Sequence, residues 1–127
     1  MYPKELKYEK EHEWVRVDDD IAVIGITHFA QDQLGEVVYV DLPSAGDAIT
    51  AGETFGEVES VKSVSDLYAP VSGEIIKVNN GLDDTPETVN EDCYGEGWML
   101  EVRLSDPSEM DALLTAEEYE QFLSDET

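Results

Sequence analysis

Short apolar segments, separated by glycine and proline turns, run through most of this chain and limit the folds that it can adopt. Residues 14–17 and 21–26 flank the acidic turn 18–20, a pattern typical of two strands joined by a short turn. Thr27 is a residue typical of an N-cap and Gly35 of a C-terminal stop, which predicts a short helix between them. Further strands are expected at residues 37–40, 48–50, 54–58, 67–70 and 74–78. Short strands at this spacing indicate a sandwich or a small barrel.

The end of the chain changes from the period of a strand to that of a helix. Asp106 provides a capping side chain, Pro107 a first helical residue and Glu109 the third position of a capping box. Thr115 and Glu118 repeat this box before a second apolar stripe. The pattern predicts two short helices packed on a β core.

Length and composition predict one folded domain over residues 1–127, since 41% of the residues are hydrophobic. The β core is expected at about residues 21–104, with short flanking helices, and the helical tail at about residues 106–124. The predicted fold class is therefore mainly β.

Charge and hydropathy exclude several kinds of partner. The chain has 7 Lys and Arg against 31 Asp and Glu, a net charge of −24 that repels nucleic acids and anionic membranes. The longest apolar run, residues 21–26, is too short to cross a bilayer. The N-terminal residues lack a secretory or transit pattern. We expect a cytoplasmic monomer whose partners present basic surfaces.

Neither metal nor nucleophilic chemistry is indicated. Cys93 is the only cysteine, which leaves no internal disulfide and no thiolate metal site. His12 and His28 are far apart in sequence, without a second ligand pair at a spacing typical of zinc. Because the sequence also lacks a Ser-His-Asp set and a Gly-rich phosphate loop, we expect neither a metal site nor a catalytic centre.

Lys62 is the only lysine or arginine between Arg16 and Lys77, in a stretch that is otherwise acidic and apolar. Three interpretations are open: a solubilising residue on an exposed turn, a catalytic amine, or an amine presented for acylation. Catalysis by a neutral amine requires burial or neighbouring cations, whereas the charged residues near Lys62 are acids. Acylation by a modifying enzyme has no such requirement, and it is the interpretation that we favour.

The local structure around Lys62 is ambiguous from periodicity. Val58, Val61, Val64 and Leu67 are spaced by three, which fits a helical face as well as a hairpin. A two-residue turn at Val61-Lys62 lacks the Asn-Gly or Asp-Gly signature of primed turns and would have to be of type I.

Motifs along nearly the whole chain carry a resemblance to one known family. They are His12-Glu13-Trp14-Val15, Gly25-Ile26-Thr27, Ala30-Gln31, Leu34-Gly35, Glu59-Ser60-Val61-Lys62-Ser63-Val64-Ser65-Asp66, Ala69-Pro70-Val71-Ser72-Gly73, Val89-Asn90, Tyr94-Gly95-Glu96-Gly97-Trp98 and Ser105-Asp106-Pro107. In this order the motifs closely resemble the H-protein family of the glycine cleavage system.

The resemblance implies lipoic acid in amide linkage to Lys62, at a hairpin tip of a barrel-sandwich hybrid fold. Members of this family are non-catalytic carriers of an aminomethyl group, which glycine decarboxylase generates with pyridoxal phosphate. A tetrahydrofolate-dependent aminomethyltransferase receives that group, and dihydrolipoamide dehydrogenase then reoxidises the dithiol. Lipoate-attaching enzymes are the remaining implied partners.

The resemblance also assigns roles to three acids. Glu13 and Asp66 are candidates for a cleft that protects the cationic cargo, and Glu59 for recognition of the turn by the lipoylating enzyme. An ordinary surface acid is the alternative for each. Cys93 stands where the family usually has proline, and either packs inertly or exchanges with the lipoyl disulfide.

Related carriers are the main alternatives. Biotin sites typically read Ala-Met-Lys-Met, whereas Lys62 lies between Val61 and Ser63. Lipoyl domains of 2-oxo acid dehydrogenases usually have Asp-Lys-Ala and lack the His-Glu-Trp start. A lipoyl relay protein, which hands its acyl group to other carriers, would use the same lysine, and an unmodified binding module is a further possibility.

Overall fold

In a computed structural model, which describes residues 2–126, the chain forms two β-sheets with short helices between and after the strands. The strands are β1 (Lys7–Tyr8), β2 (Glu13–Asp18), β3 (Ile21–Ile26), β4 (Val37–Asp41), β5 (Ala48–Ile49), β6 (Thr54–Ser60), β7 (Val64–Tyr68), β8 (Gly73–Val78) and β9 (Leu100–Leu104). The α-helices are α1 (His28–Leu34), α2 (Thr88–Glu91) and α3 (Ala116–Glu126), and 3-10 helices cover Asn80–Asp83 and Pro107–Ala112.

The strands form a larger and a smaller antiparallel sheet. The larger has the order β1-β2-β3-β9-β8-β5 and the smaller the order β4-β6-β7. This arrangement confirms the predicted mainly β fold. Because β1 and β2 extend the larger sheet, the sheet begins before residue 21.

One apolar core joins the two sheets. In β9, Leu100, Val102 and Leu104 are buried whereas Arg103 is exposed, as the two-residue period of a strand requires. Val58 of the smaller sheet belongs to the same buried cluster. The alternation in the sequence therefore places the core between the sheets.

A second apolar cluster lies where the C-terminal segment meets the edge of the larger sheet. It includes Tyr8, Trp14, Tyr119 and Leu123. Tyr8 and Leu114 form an isolated bridge, in which each N–H donates to the other's carbonyl at 2.8 Å. This bridge returns the chain to β1 and directs α3 onto the cluster.

The helix predicted after β3 is confirmed with both of its ends. The Thr27 hydroxyl accepts a hydrogen bond from the Ala30 N–H at 3.2 Å. Gly35 ends α1 with a φ of 76° and a ψ of −152°, a region open essentially to glycine alone.

The first predicted helix of the tail differs from expectation. Residues 107–112 form a 3-10 helix, and the Asp106 side chain accepts from the Ser108 N–H at 3.1 Å. The Glu109 carboxylate instead accepts from the Ser72 N–H at 2.6 Å and from the Ser72 hydroxyl at 2.9 Å. The reciprocal box predicted at Asp106 is therefore wrong, because Ser72 offers one donor to each oxygen of Glu109.

The second capping box of the tail is confirmed. The Thr115 N–H donates to Glu118 Oε1 at 2.9 Å, and the Glu118 N–H donates to Thr115 Oγ1 at 3.2 Å. The helix α3 that follows buries Tyr119 and Leu123. Within residues 2–126, no helix combines the length and the apolar character needed to cross a membrane.

Candidate functional site

Lys62 lies at the tip of the hairpin formed by β6 and β7. The Ser60 N–H donates to the Ser63 carbonyl at 2.8 Å, which closes the hairpin around Val61 and Lys62. The Ser60 hydroxyl oxygen accepts from the N–H groups of Lys62 and Ser63 at 3.2 and 3.1 Å. Hydrogen bonding of this kind by a serine side chain is typical of short turns, and it leaves the lysine exposed.

The hairpin resolves the ambiguity that periodicity left. Among residues 2–126, His12 and Asp19 alone have positive φ without being glycine. Val61 and Lys62 therefore have negative φ, as the predicted type I turn requires and a primed turn does not allow.

The loop that follows α1 supports the lysine hairpin. A Cβ placed on Gly35 would lie only 3.1 Å from Lys62 Cε, so the aliphatic part of the lysine extends over this glycine. The Val61 N–H donates to the Glu36 carbonyl at 3.0 Å. The absence of a side chain at Gly35 thus provides the space that the lysine occupies.

Asn90, near the end of α2, holds the same loop from its other side. Its Nδ2 donates to the Gly35 carbonyl at 2.7 Å and to Gln31 Oε1 at 3.1 Å. Its Oδ1 accepts from the Val37 N–H at 2.9 Å. One amide side chain therefore fixes the loop against which the lysine packs.

A cleft of about 260 Å³ opens beside the hairpin. Its walls include His12 and Glu13 near the start of β2, Phe29 and Leu34 of α1, and Ser63 and Asp66 of the hairpin. Three elements distant in sequence thus meet next to the tip that carries Lys62.

Among the acids of residues 2–125, Glu13 alone is buried, with 1% of its surface exposed. Its Oε2 accepts from the Tyr68 N–H at 3.1 Å, whereas its Oε1 has no hydrogen-bond partner among the described residues. The pKa of Glu13 lies well above 4.5, chiefly because burial removes water from its carboxyl. The hydrogen bond from Tyr68 opposes this shift, and the negative charges of Glu9 and Glu11 add to it. A buried carboxyl with one unused oxygen is a strong acceptor for a cation or a donor.

The structure brings two of the three predicted acids together. Asp66 is exposed and lines the same cleft as Glu13. Glu59 lies on β6 opposite Val64, on the exposed side of the strand, and it is not part of the cleft wall.

Sequence reasoning missed several residues of this site. His12 lines the cleft, and its Nδ1 lies 2.7 Å from the hydroxyl of Tyr119. Gly35 and Asn90 support the lysine hairpin although they lie far from it in sequence. All three residues lie within the motifs that match the family, and this was the signal that could have marked them as functional. No local pattern in the sequence connects them to Lys62.

Cys93 has the environment of a structural residue. Its side chain is 7% exposed, and burial raises the pKa of its thiol to about 11. Its carbonyl accepts from the indole N–H of Trp14 at 2.9 Å. At neutral pH the reactive thiolate is therefore scarce, which favours inert packing over exchange.

No three His, Cys, Asp or Glu side chains between residues 2 and 126 are grouped as a metal site would require. The arrangement of the described residues is that of an exposed amine on a rigid tip, next to a cleft with a buried acid. Such a site can present an attached group and shelter it.

Comparisons with known proteins agree with this geometry. Residues 6–126 match the family model of the glycine cleavage H-protein. The glycine cleavage system H protein of Carboxydothermus hydrogenoformans is 55% identical over 126 residues, covering 99% of this chain and 97% of that protein. The crystal structure of a glycine cleavage system H protein from Mycobacterium marinum superposes with a TM-score of 0.89 at 41% identity, over 96% of this chain and 98% of that one.

Proposed function

This chain belongs to the glycine cleavage H-protein family, and from that premise we propose that Lys62 is the lysine that carries its lipoic acid. The protein is the lipoylated carrier of the glycine cleavage system and has no catalytic role of its own. Its partners are glycine decarboxylase, aminomethyltransferase and dihydrolipoamide dehydrogenase.

The position of Lys62 is the observation that carries this assignment. The lysine is exposed at the tip of a hairpin, and its backbone is held by the Ser60 hydroxyl. A lipoyl group attached there supplies a disulfide that can accept an aminomethyl group and be reduced to the dithiol. The chain itself contributes a fixed point of attachment, from which the arm reaches successive partners at a high local concentration.

Glu13 and Asp66 form the proposed cargo cleft. An aminomethyl cargo is cationic, and Glu13 Oε1 is a buried acceptor with no partner among residues 2–126. A cation in the cleft would satisfy this oxygen and favour the ionised carboxylate. Asp66, at the exposed rim, would add a second negative charge and limit the escape of the cargo.

Glu59 is proposed to be read by the lipoate-attaching enzyme. It precedes the tip by three residues and is exposed, so a partner approaching Lys62 can reach it. Because Glu59 lies outside the cleft wall, its contribution should be to modification and not to cargo retention.

The assignment of Lys62 is tested with Lys62→Arg, which keeps the charge but offers no acylable amine. Intact mass of chain from cells that lipoylate should show the modification on wild type and none on the variant. Glycine-dependent release of carbon dioxide in the reconstituted four-component system should be lost. Lys77→Arg is the matched control, since Lys77 is an exposed lysine on β8; normal activity of Lys62→Arg would disprove the assignment.

The roles of the acids are separated by three variants. Glu13→Gln and Asp66→Asn should speed hydrolytic loss of the loaded cargo and leave lipoylation intact. Glu59→Gln should slow lipoylation and leave cargo lifetime intact. Glu57→Gln is the control, because Glu57 pairs with Asp66 in the sheet and is exposed but does not line the cleft. Unchanged lifetimes in both cleft variants would remove Glu13 and Asp66 from this role.

A cytoplasmic location and a monomeric state are part of the same proposal. Both suit a carrier that must visit several enzymes in turn. Cell fractionation and light scattering of the purified chain test them, and a stable dimer or a membrane-associated pool would contradict them.

A further inference from the structure

A buried hydroxyl connects the C-terminal helix to the cleft. The hydroxyl of Tyr119, on α3, lies 2.7 Å from His12 Nδ1 and 2.8 Å from Thr27 Oγ1. Tyr119 and Thr27 are each 0% exposed. One phenol therefore links three segments that are distant in sequence, without access to bulk water.

Both partners of this hydroxyl are connected to the cleft, one directly and one through α1. His12 lines the cleft and directly precedes Glu13. Thr27 caps α1 through the Ala30 N–H, and α1 contributes Phe29 to the cleft lining. Tyr119 thus contacts one residue that lines the cleft and one that caps a lining helix, although it is not part of the cleft surface.

His12 is held in a backbone conformation that an ordinary residue rarely adopts. Its φ is 78°, and non-glycine residues at positive φ persist where the surrounding structure fixes them, often near functional sites. The His12 N–H donates to the Glu9 carbonyl at 2.8 Å, and the His12 carbonyl accepts from the Thr27 N–H at 3.0 Å. The imidazole packs on Phe29, with ring centroids 4.8 Å apart.

Tyr119 is fixed by other aromatic rings. It stacks on Tyr8 with centroids 4.8 Å apart and planes 10° from parallel, and it meets Tyr2 edge-on at 5.3 Å. Burial raises the pKa of Tyr119, so its hydroxyl stays neutral and can donate one hydrogen bond while it accepts another. The hydroxyl is therefore held in one place, 2.7 Å from His12 Nδ1.

We propose that Tyr119 is a positioning residue, whose hydroxyl fixes the orientation of the His12 ring so that His12 closes the cleft wall beside Glu13. The C-terminal helix then determines how well the cleft protects the cargo of the arm, even though residues 116–125 of α3 do not line the cleft. This inference rests on the proposed cargo cleft, and it adds His12 and Tyr119 to the residues that cargo retention requires.

The first measurement concerns the contact alone and uses the full unmodified chain. Tyr119→Phe removes the hydroxyl and keeps the ring. We expect a change in the imidazole ¹⁵N shifts of His12, because Nδ1 loses its hydrogen bond with the Tyr119 hydroxyl; His12→Asn assigns the signals against those of His28. Tyr8→Phe is the matched control, since Tyr8 is also buried and its hydroxyl donates to the Pro3 carbonyl at 2.7 Å.

The second measurement concerns cargo lifetime on the lipoylated and loaded chain. Tyr119→Phe should shorten it by about fivefold, the effect expected of one lost buried hydrogen bond. Lipoylation rate should remain unchanged, and Tyr8→Phe should keep the wild-type lifetime. His12→Asn tolerates positive φ but cannot reach Tyr119, so it should shorten the lifetime as well.

The double variant distinguishes positioning from general destabilisation. If Tyr119 acts through His12, a chain with both Tyr119→Phe and His12→Asn should lose its cargo no faster than the more severe of the two single variants. Multiplicative losses, or an equal loss in Tyr8→Phe at a similar melting temperature, would overturn the inference. A wild-type cargo that hydrolyses as fast as the free adduct would overturn the cargo cleft itself, whereas unchanged His12 signals in Tyr119→Phe would overturn only the positioning role.

Discussion

The carboxyl of Glu13 lies in the protein interior, where its ionisation is unfavourable. The group is buried and has one hydrogen bond from the backbone, through Tyr68. Burial without a counter-charge favours the protonated form. The residue is therefore suited to bind a cation but destabilises the empty protein once it ionises.

This cost predicts a pH dependence of stability. The pKa of Glu13 is raised in the folded state. The folded chain therefore binds more protons than the unfolded chain at pH values between 4.5 and the raised pKa. The contribution of Glu13 to the free energy of unfolding should therefore be largest below pH 4.5 and fall as the pH rises through this window.

Urea unfolding of wild type and Glu13→Gln as a function of pH measures this contribution. The difference between the two free energies should change by at most about 1.4 kcal/mol per pH unit. Glu57→Gln, at an exposed position, should show no such trend. A wild-type minus variant difference that is flat across the acidic range would contradict the raised pKa.

Gly35 combines a special backbone conformation with a close neighbour. Its φ of 76° and ψ of −152° are strained for any other residue. Gly35→Ala should lower the free energy of unfolding by about 1–3 kcal/mol and also slow lipoylation, because the new Cβ would displace the stem of Lys62.

Gly46→Ala separates these two effects. Gly46 also has positive φ, at 98°, but a Cβ there would have no atom within 4 Å. This variant should lose stability by about 1–2 kcal/mol and be lipoylated at the normal rate. If both variants are lipoylated equally fast, the contact between Gly35 and Lys62 does not position the lysine.

At the scale of elements, the C-terminal segment is attached at several separate points. Leu114 forms the bridge to Tyr8, Tyr119 joins the apolar cluster, and Glu109 binds Ser72 between β7 and β8. The segment is therefore part of the folded unit and not an accessory to the β core.

The link through Glu109 predicts a measurable loss of stability. Glu109→Ala removes two hydrogen bonds to a charged acceptor and leaves the Ser72 N–H without its partner, so the free energy of unfolding should fall by about 2–3 kcal/mol. Asp111→Ala is the control, an exposed acid in the same 3-10 helix. Chemical unfolding checks both, and equal effects would show that the Ser72 contact contributes nothing specific.

At the scale of the whole molecule, the net charge of −24 opposes the compact state. The salt bridge between Arg103 Nε and Asp20 Oδ2 spans 4.0 Å, and its side chains are 59% and 61% exposed, so it offsets little of the repulsion. The fold is held by its two apolar clusters against a repulsive surface.

Salt should therefore stabilise this protein. Raising NaCl from roughly 0.02 M to 0.5 M shortens the Debye length to a few ångströms, and we expect the melting temperature to rise by about 5 °C. Sucrose of equal osmolarity is the control, because it does not screen charge. A melting temperature that does not respond to salt would mean that self-repulsion is small in the folded state.

Strands β1 and β9 were not predicted, but the sequence by itself determined the other strand segments, the caps of α1 and α3, the family and the candidate lysine. These features depend on short-range rules: the two-residue period of strands, the side chains that cap helices, and motifs that are contiguous in the chain. The first capping box of the tail failed because Glu109 met donors from Ser72, far away in sequence.

Only the tertiary structure decided which residues surround that lysine. The burial of Glu13, the support of Gly35 by Asn90 and the contact of Tyr119 with His12 each join segments far apart in the chain. No local window contains both partners of such a contact, because desolvation and hydrogen bonding between distant segments exist only once the sheets have packed. From the sequence, an ordinary surface acid was the alternative for Glu13, and folding makes this residue a buried acceptor.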